Sequence, residues 1–306
     1  MNKCVITERY SAESDVVLKH GDCKRFLQKI PAESVKLVFT SPPYNVGKSY
    51  ESKKRFNVYL KDQDGVLESL VKCLHYEGSL CWQVGSYVGN REVFPLDIFY
   101  YEKFKKLGLY LRNRIIWKFG HGLHAKSRLS GRYETILWFT KSDRYTFNLD
   151  PIRIPSKYPD KKHYRGPNAG KLSGNPMGKN PSDFWDLGEE WRGSVWDVPN
   201  VKSNHPEKSI HPCQFPVELA ERCVLALTNE NDWVLDPFGG VGSTAIAALK
   251  NGRKSISVEK EKKYVEITRN RISSLIKGDL KLRQMGKPVH VPVKKEGNEN
   301  SSREVF

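Results

Sequence analysis

The sequence predicts an α/β protein, and three observations carry that expectation. The run Val35-Lys36-Leu37-Val38-Phe39 reads as a buried strand that ends at Thr40-Ser41-Pro42-Pro43-Tyr44. Two prolines in a row fix φ twice, remove two N–H donors and hold the residue before them extended. The result is a stiff corner with a hydroxyl before it and an aromatic ring after it. Far along the chain, Trp233-Val234-Leu235 runs into Asp236-Pro237-Phe238-Gly239-Gly240-Val241-Gly242, then a helical pattern, then a strand ending at Glu259. Elsewhere, short β-branched or apolar runs alternate with segments of helical apolar spacing, the pattern of strands covered by helices. Ligands of open α/β sheets bind where strands end, so both stretches are candidate sites.

The 306 residues suffice for one large α/β domain or two small ones. Hydrophobic residues make up 38% and aromatic residues 11%, enough to build a core. The net charge of +16 and a pI near 9.5 favour a polyanionic partner, nucleic acid first. Cys4, Cys23, Cys73, Cys81, Cys213 and Cys223 show no CxxC spacing, so neither a zinc site nor a redox motif is signalled. They read as reduced thiols, which suits a cytoplasmic protein. The N-terminus has no apolar signal-peptide core, and no run reaches the roughly 18 apolar residues of a membrane span, so neither is expected.

Taken in order, Val16-Val17-Leu18 is a short strand that ends at His20-Gly21-Asp22. Phe26, Leu27 and Ile30 suit a short amphipathic helix from Cys23. The strand at 35–39 and the proline corner follow. Residues 45–60 are polar and predict a loop over that corner. Val66, Leu67, Leu70, Val71 and Leu74 recur at helical spacing, with Glu77-Gly78 as the stop. Residues 79–84 are the next strand and 94–107 the next helix, stopped by Gly108. Two strands follow, at 111–119 and 134–140. His121 and His124 lie between them, but a Gly-bearing loop without nearby Cys or carboxylates does not make a metal site, and no metal is expected.

From Asp150 to about Lys202 the character changes. Pro, Gly, Ser and Asn are frequent and no periodicity persists. Residues 152–180 hold Arg153, Lys157, Lys161, Lys162, Arg165, Lys171 and Lys179 against one acid, Asp160. Aromatic residues interleave: Tyr158 and Tyr164, then Phe184, Trp185, Trp191 and Trp196. A basic, aromatic-bearing insert of this length predicts a nucleic-acid contact module rather than a linker. Residues 215–228 then form an amphipathic helix starting near Pro216, a good first-turn residue. The strand at 233–235, the glycine turn, a helix at 243–249, a strand at 255–258 and a helix at 264–276 close the pattern. From Lys277 onward the chain is polar and aperiodic, and a mobile tail is expected.

A strand, a Gly-rich turn, a helix and a strand with an acid at its tip form a nucleoside-binding unit. The glycines let a ligand approach the backbone, and the helix N-terminus favours a negative group. Glu259 lies 17 residues after Gly242, placed to accept bonds from both ribose hydroxyls. The same grammar serves NAD enzymes. However, Gly239-Gly240-Val241-Gly242-Ser243-Thr244 lacks the G-x-G-x-x-G spacing, and Asp236 would repel a pyrophosphate. An acid there suits a cationic ligand such as the methionine ammonium of S-adenosylmethionine.

Residues 40–44, followed about 195 residues later by residues 236–242, resemble the β class of DNA amino-methyltransferases. The likeness extends over most of residues 15–276, through His20-Gly21-Asp22, Tyr133-Glu134, and His211-Pro212 with Phe215-Pro216. It implies a Rossmann-like class I methyltransferase fold with a circularly permuted motif order. Seven strands would form a mostly parallel sheet with helices on both faces, the first strand beside the one ending at Glu259. Residues 1–149 would be the catalytic half, 150–202 an irregular inserted target-recognition region, 203–276 the S-adenosylmethionine-binding half and 277–306 a flexible tail. By resemblance, Asp236, Pro237, Phe238, Gly239, Gly240 and Gly242 line the methionine end of the cofactor, with Thr40 at the neighbouring strand tip. Glu259 holds the ribose and Asp22 the adenine amino group. Ser243, Thr244 and His211 lie near the methionine carboxylate. Ser41, Pro42, Pro43 and Tyr44 form the catalytic corner: the Ser41 hydroxyl and Pro42 carbonyl accept the two hydrogens of an exocyclic amine, and Tyr44 stacks on a flipped base. Lys161, Lys162, Arg165, Lys171 and Lys179 would contact DNA. The implied partner is double-stranded DNA, with a cognate restriction endonuclease as a functional rather than physical companion, and the protein a monomer or homodimer. A serine at the first motif position is commoner for cytosine N4, and an aspartate for adenine N6; cytosine N4 is the expectation and adenine N6 the alternative. A non-catalytic DNA-binding protein and a Rossmann oxidoreductase are the competing classes.

Overall fold

In the computed structural model, the described residues are 4–48, 51–119, 124–185, 201 and 205–285. The elements follow in chain order. The first are β1 (Ile6–Thr7), β2 (Val16–His20), α1 (Cys23–Leu27), β3 (Val35–Thr40), α2 (Phe56–Cys73) and β4 (Leu74–Val84). Next come the hairpin β5 (Ser86–Gly89) and β6 (Glu92–Pro95), then α3 (Leu96–Lys106), β7 (Tyr110–Lys118), β8 (Tyr133–Thr140) and β9 (Phe184–Trp185). Last are α4 (Val217–Leu227), β10 (Trp233–Asp236), α5 (Ser243–Lys250), β11 (Lys254–Glu259) and α6 (Lys262–Lys277).

Among the described residues the main sheet runs β1-β2-β11-β10-β3-β4-β8-β7-β9. Only β8 runs against its neighbours. The central seven strands match the expected permuted sheet; β1 and β9, two residues each, extend its edges. The first long strand of the chain, β2, lies parallel to β11, with His20 opposite Glu259. Strand β3 lies parallel to β10, with Leu37 opposite Val234. This pairing sets residues 40–44 beside residues 236–242 despite their distance in sequence.

Side-chain alternation builds the two helical layers. Val16, Leu18, Leu37 and Phe39 face one side and pack with Val217, Ala220 and Val224 of α4, Ile246 of α5 and Ile272 of α6. Their neighbours Val17 and Val38 face the other side and pack with Leu27 of α1, Leu67 and Leu70 of α2, and Tyr100 and Phe104 of α3. Strands covered on both faces need apolar residues at every position, which is why β3 is buried throughout.

Two local expectations need correction, and one element between 84 and 96 was not expected. Helix α2 begins at Phe56, ten residues before the periodicity that marks it, so the loop over the proline corner is shorter than expected. Gly65 within it leaves room for the Lys24 side chain, which a Cβ would meet at 2.6 Å. That helix ends at Cys73, and residues 74–78 already belong to β4. Residues 86–95 form a hairpin, turned by Asn90 and Arg91 at φ 51° and 66°, where a type I′ turn needs both positive.

The tail does not leave the body at Lys277. Leu280 and Leu282 pack on the core. Arg283 Nη1 reaches Glu218 Oε2 at 2.5 Å, and its backbone N donates to Glu207 Oε1 at 3.3 Å. Glu218 is buried and is paired also by Arg222 at 2.5 Å. Two guanidinium groups on one carboxylate keep a buried charge compensated. Residues 286–306, Trp191, Trp196 and His121 lie outside the described residues.

Candidate active site

A cavity of about 1040 Å³ opens where β3, β10, β11, β2, β4 and β8 end or begin. Two groups of residues line it: Ser41, Pro42, Pro43, Tyr44, Gln83 and Glu134 in one, and Asp22, Pro237, Phe238, Gly239, Gly240 and Glu259 in the other. The volume lies at the upper end of the range for ligand pockets.

The glycine turn is fixed from behind. Gly240 and Gly242 take φ values of 51° and 80°, a region that L side chains rarely adopt. Helix α6 ties down the turn's carbonyls: Thr268 Oγ1 donates to Gly240 O at 3.2 Å and Arg271 Nη1 to Val241 O at 2.6 Å. A Cβ on Gly239 would stand 2.0 Å from Ser257 Oγ. A Cβ on Gly240 would point at His211 Nε2, 3.5 Å away. Backbone therefore forms the floor here, and a ligand can lie directly on it.

Glu259 ends β11 with its carboxylate over this floor. Its Oε2 accepts from Gly240 N at 2.8 Å and its Oε1 from Glu261 N at 2.7 Å. Burial raises its pKa, and the backbone donors oppose that rise. Each oxygen keeps a further lone pair, so the pair of ribose hydroxyls remains a chemically sound occupant. Asp22 lines the cavity and caps α1, accepting from Arg25 N at 3.2 Å.

Asp236 differs from its expected place. It is 1% exposed and does not line the cavity. Its Oδ1 accepts from Thr40 Oγ1 at 2.6 Å and from Phe238 N at 3.1 Å, and its Oδ2 from Thr244 Oγ1 at 2.8 Å. Burial pushes its pKa from 3.8 up to about 6, against the pull of those three bonds. Asp236, Thr40 and Thr244 thus knot β3, β10 and α5 together beneath the floor instead of meeting a ligand directly. Gly242 also lies below, with Thr268 Cγ2 at 2.5 Å from the place of a Cβ. Ser243 borders the cavity but donates its hydroxyl to Phe215 O at 2.8 Å. His211 borders it too, accepting from Cys213 N at 3.2 Å and packing edge-on against Tyr264. Burial, then Lys208 and Lys263, lower its pKa to about 4, so it is neutral at physiological pH.

The proline corner is held by α2. Tyr59 Oη donates to Pro43 O at 2.9 Å and is itself 2.8 Å from Tyr100 Oη. Among the described residues nothing hydrogen-bonds Pro42 O. Ser41 Oγ lies 3.0 Å from Tyr44 Oη, which lies 3.3 Å from Glu134 Oε2 and 3.4 Å from Gln83 O. Gln83 Nε2 donates to the same Glu134 oxygen at 2.5 Å. Glu134 carries no role in the sequence reading beyond its place in a motif strand. Period-2 alternation in β8 was its one available signal: Thr135 and Leu137 face the other side.

Lys161, Lys162, Arg165, Lys171 and Lys179 are exposed and none lines the cavity. Their segment is more ordered than its composition suggests: His163 N bonds Lys171 O at 2.9 Å, Ser173 N bonds Lys161 O at 2.8 Å, and Ile154 bridges Lys179. Tyr158 and Tyr164 project from it at 63% and 88% exposure, unlike core aromatics. The insert returns as β9 beside β7, with Ile116 opposite Phe184. Trp117 and Phe119, at the end of β7, border the cavity, so the insert is anchored to one of its walls.

A Bacillus subtilis protein, Type II methyltransferase M.BglII, is 47% identical over 249 residues, covering 81% of this chain and 66% of that relative's own length. The Escherichia coli DNA adenine methyltransferase YhdJ is 33% identical, covering 86% of this chain and 84% of that protein. Among solved structures, the PvuII DNA methyltransferase (cytosine-N4-specific) superposes with a TM-score of 0.63 at 21% identity, covering 85% and 88% of the two chains. Thermus thermophilus TTHA0409, solved in complex with S-adenosyl-L-methionine, superposes with a TM-score of 0.58 at 27% identity, covering 85% and 95%. The DNA methylase family model of N6/N4 methyltransferases matches residues 35–270, from the strand before the proline corner to the helix behind the glycine turn. The chain belongs to that family of DNA amino-methyltransferases.

Proposed function

We propose that this protein transfers a methyl group from S-adenosylmethionine to the exocyclic N4 amine of cytosine in duplex DNA. One observation carries the reading: the Ser41–Tyr44 corner and the Gly239–Glu259 cradle share one cavity. When bound, the cofactor supplies an electrophilic methyl group. The chain's own residues do the rest. Glu259 and the glycine floor hold a nucleoside, and Asp22 offers a carboxylate to its base. Phe238 presents a ring at the cavity wall. An exocyclic amine is a poor nucleophile because its lone pair is delocalised into the ring. Ser41 Oγ and Pro42 O accept its two hydrogens and draw the nitrogen toward sp3. Placement of the two reactants then supplies most of the rate.

A base reaches such a cavity only when flipped from the duplex. The basic insert supports duplex binding: Lys161, Lys162, Arg165, Lys171 and Lys179 meet phosphates, and the exposed tyrosines add stacking surface. On this reading residues 150–202 recognise the target, while residues 1–149 and 203–276 form the two halves of the catalytic unit. The target site and the restriction endonuclease that would share it are set by DNA sequence, and the endonuclease is a functional companion.

Cytosine is favoured because Ser41 is a short, neutral acceptor. Adenine N6 is the second reading, since the relative YhdJ is named for adenine. Mass spectrometry of nucleosides from DNA methylated by this protein separates them. N4-methylcytosine supports the first reading. N6-methyladenine alone overturns the base and leaves the reaction class standing, and no methylated nucleoside overturns the reaction.

A further inference from the structure

We propose that Glu134 is the terminal proton acceptor of the transfer step, reached from the reacting amine through the hydroxyls of Ser41 and Tyr44. The proposal rests on the methyltransferase reading above. When the amine lone pair bonds to the methyl carbon, the carbon–sulfur bond breaks with both electrons left on sulfur. The nitrogen then bears a positive charge and must release one hydrogen as a proton. The corner residues cannot keep it, because neither a serine hydroxyl nor the Pro42 carbonyl is a base near neutral pH.

The geometry supplies the missing base. From Ser41 Oγ to Tyr44 Oη is 3.0 Å, and from Tyr44 Oη to Glu134 Oε2 is 3.3 Å. As Ser41 takes the amine proton it passes its own to Tyr44. Tyr44 passes its own to Glu134 Oε2. The net change is one proton moved from amine to carboxylate, with both hydroxyls restored. Glu134 lines the cavity and later returns the proton to water. Among the described residues Tyr44 has one further acceptor in reach beyond the relay, Gln83 O at 3.4 Å, but a carbonyl cannot retain the proton.

The surroundings of Glu134 are built for this. Gln83 Nε2 anchors the carboxylate from β4, and Gln83 is itself 2% exposed. A Cβ on Gly85 would stand 3.4 Å from Glu134 and 3.3 Å from Tyr44, so a side chain there would crowd the pair. Trp117 lies opposite Glu134 on β7. Among the described residues the titratable groups nearby are Tyr44, from the corner, and Cys213, whose thiolate form would oppose ionisation of Tyr44 from the loop before α4. Burial raises the pKa of Glu134, while Gln83 and Tyr44 lower it. A carboxylate shifted upward is a better base at neutral pH than an ordinary one.

The test compares wild type with Glu134→Gln and Tyr44→Phe. Single-turnover transfer of labelled methyl groups into duplex DNA is followed from acid to neutral pH, in H2O and D2O. Wild type should lose rate on the acid side as Glu134 protonates. Glu134→Gln should be slower by about 10²-fold at neutral pH, the usual contribution of a general base. Its acid-side dependence and most of its solvent isotope effect should vanish. Tyr44→Phe breaks the chain at another link and should also flatten the acid side, which keeps the test sharp if one variant folds poorly. Infrared difference spectra of the free protein give a second readout: wild type should show one titrating carboxylic-acid band more than Glu134→Gln, beside the band that Asp236 gives in both. Cofactor affinity by calorimetry should hold in both variants. Wild-type rate and acid limb retained by Glu134→Gln would overturn the relay while the methyltransferase reading stands. No label transferred by wild type would overturn both.

Discussion

Replacing Asp236 with asparagine should stabilise the fold above neutral pH, although it removes a charge from a strongly hydrogen-bonded position. Asp236 is buried, and its pKa rises from 3.8 to about 6. That net rise already includes the favourable bonds from Thr40, Thr244 and Phe238 N. A carboxyl whose folded pKa exceeds its unfolded value costs nothing below pH 3.8, where both states are protonated. Stability is then lost as pH rises from 3.8 toward 6. At about 1.4 kcal/mol per pH unit the loss reaches about 3 kcal/mol above pH 6, and about 1–2 kcal/mol at pH 5. Asparagine is isosteric and neutral. Its Oδ1 can accept from Thr40 and Phe238 N, and its Nδ2 can donate to Thr244 Oγ1. The Thr244 hydroxyl then turns to Phe39 O, already 3.3 Å away. For a chain of this size about 3 kcal/mol corresponds to roughly 4–5 °C in Tm. Differential scanning calorimetry of wild type and Asp236→Asn at pH 8, 5 and 4 should show that gap shrinking toward zero with falling pH. A variant less stable than wild type at pH 8 would show that the three bonds outweigh the burial of the charge, and would refute the reasoning.

Other perturbations give separate outcomes. Asp236→Ala leaves Thr40 Oγ1 and Phe238 N without an acceptor, so it should lose about 2–4 kcal/mol of stability and bind S-adenosylmethionine far more weakly in calorimetry, with DNA binding still measurable. Ser41→Ala removes one acceptor from the amine and should cost about 2–4 kcal/mol of transition-state stabilisation at unchanged cofactor affinity, read from single-turnover rates. Changing Lys161, Lys162 and Arg165 together to Ala should weaken DNA binding and flatten its salt dependence by about 0.9 for each lost phosphate contact; an unaltered slope would place the contacts elsewhere. Gly239→Ala should destabilise the fold because its Cβ would stand 2.0 Å from Ser257 Oγ, and adding Ser257→Ala should restore part of the loss in a thermal melt.

Local chemistry made much of this protein legible in sequence. The strands at 35–40 and 233–236 are buried at every position and, apart from Lys36 and the terminal Thr40 and Asp236, read as apolar runs because helices cover both their faces. The proline corner depends on φ restrictions that its own residues impose, whereas the glycine turn takes φ values that glycine alone adopts readily and is then held from behind by α6. The permuted sheet was legible only through the family resemblance that the order and interval of the two motifs carried, and the strand order agrees with it.

What tertiary structure alone decided is where side chains end up relative to one another. Asp236 stands at a strand tip as expected, but the register of β3 against β10 places Thr40 on its carboxylate and Thr244 closes over it, so it became a girder. Glu134 reaches the proline corner because β8 reverses beside β4, setting Thr135 opposite Val84 and Ile136 opposite Gln83; no local pattern encodes that partner. Arg283 lies in an aperiodic segment and is held by Glu218, 65 residues away in sequence, a contact with no local signature. Backbone shape is a short-range consequence of residue type, whereas a buried polar contact is fixed by sheet order and register, which depend on the whole chain at once.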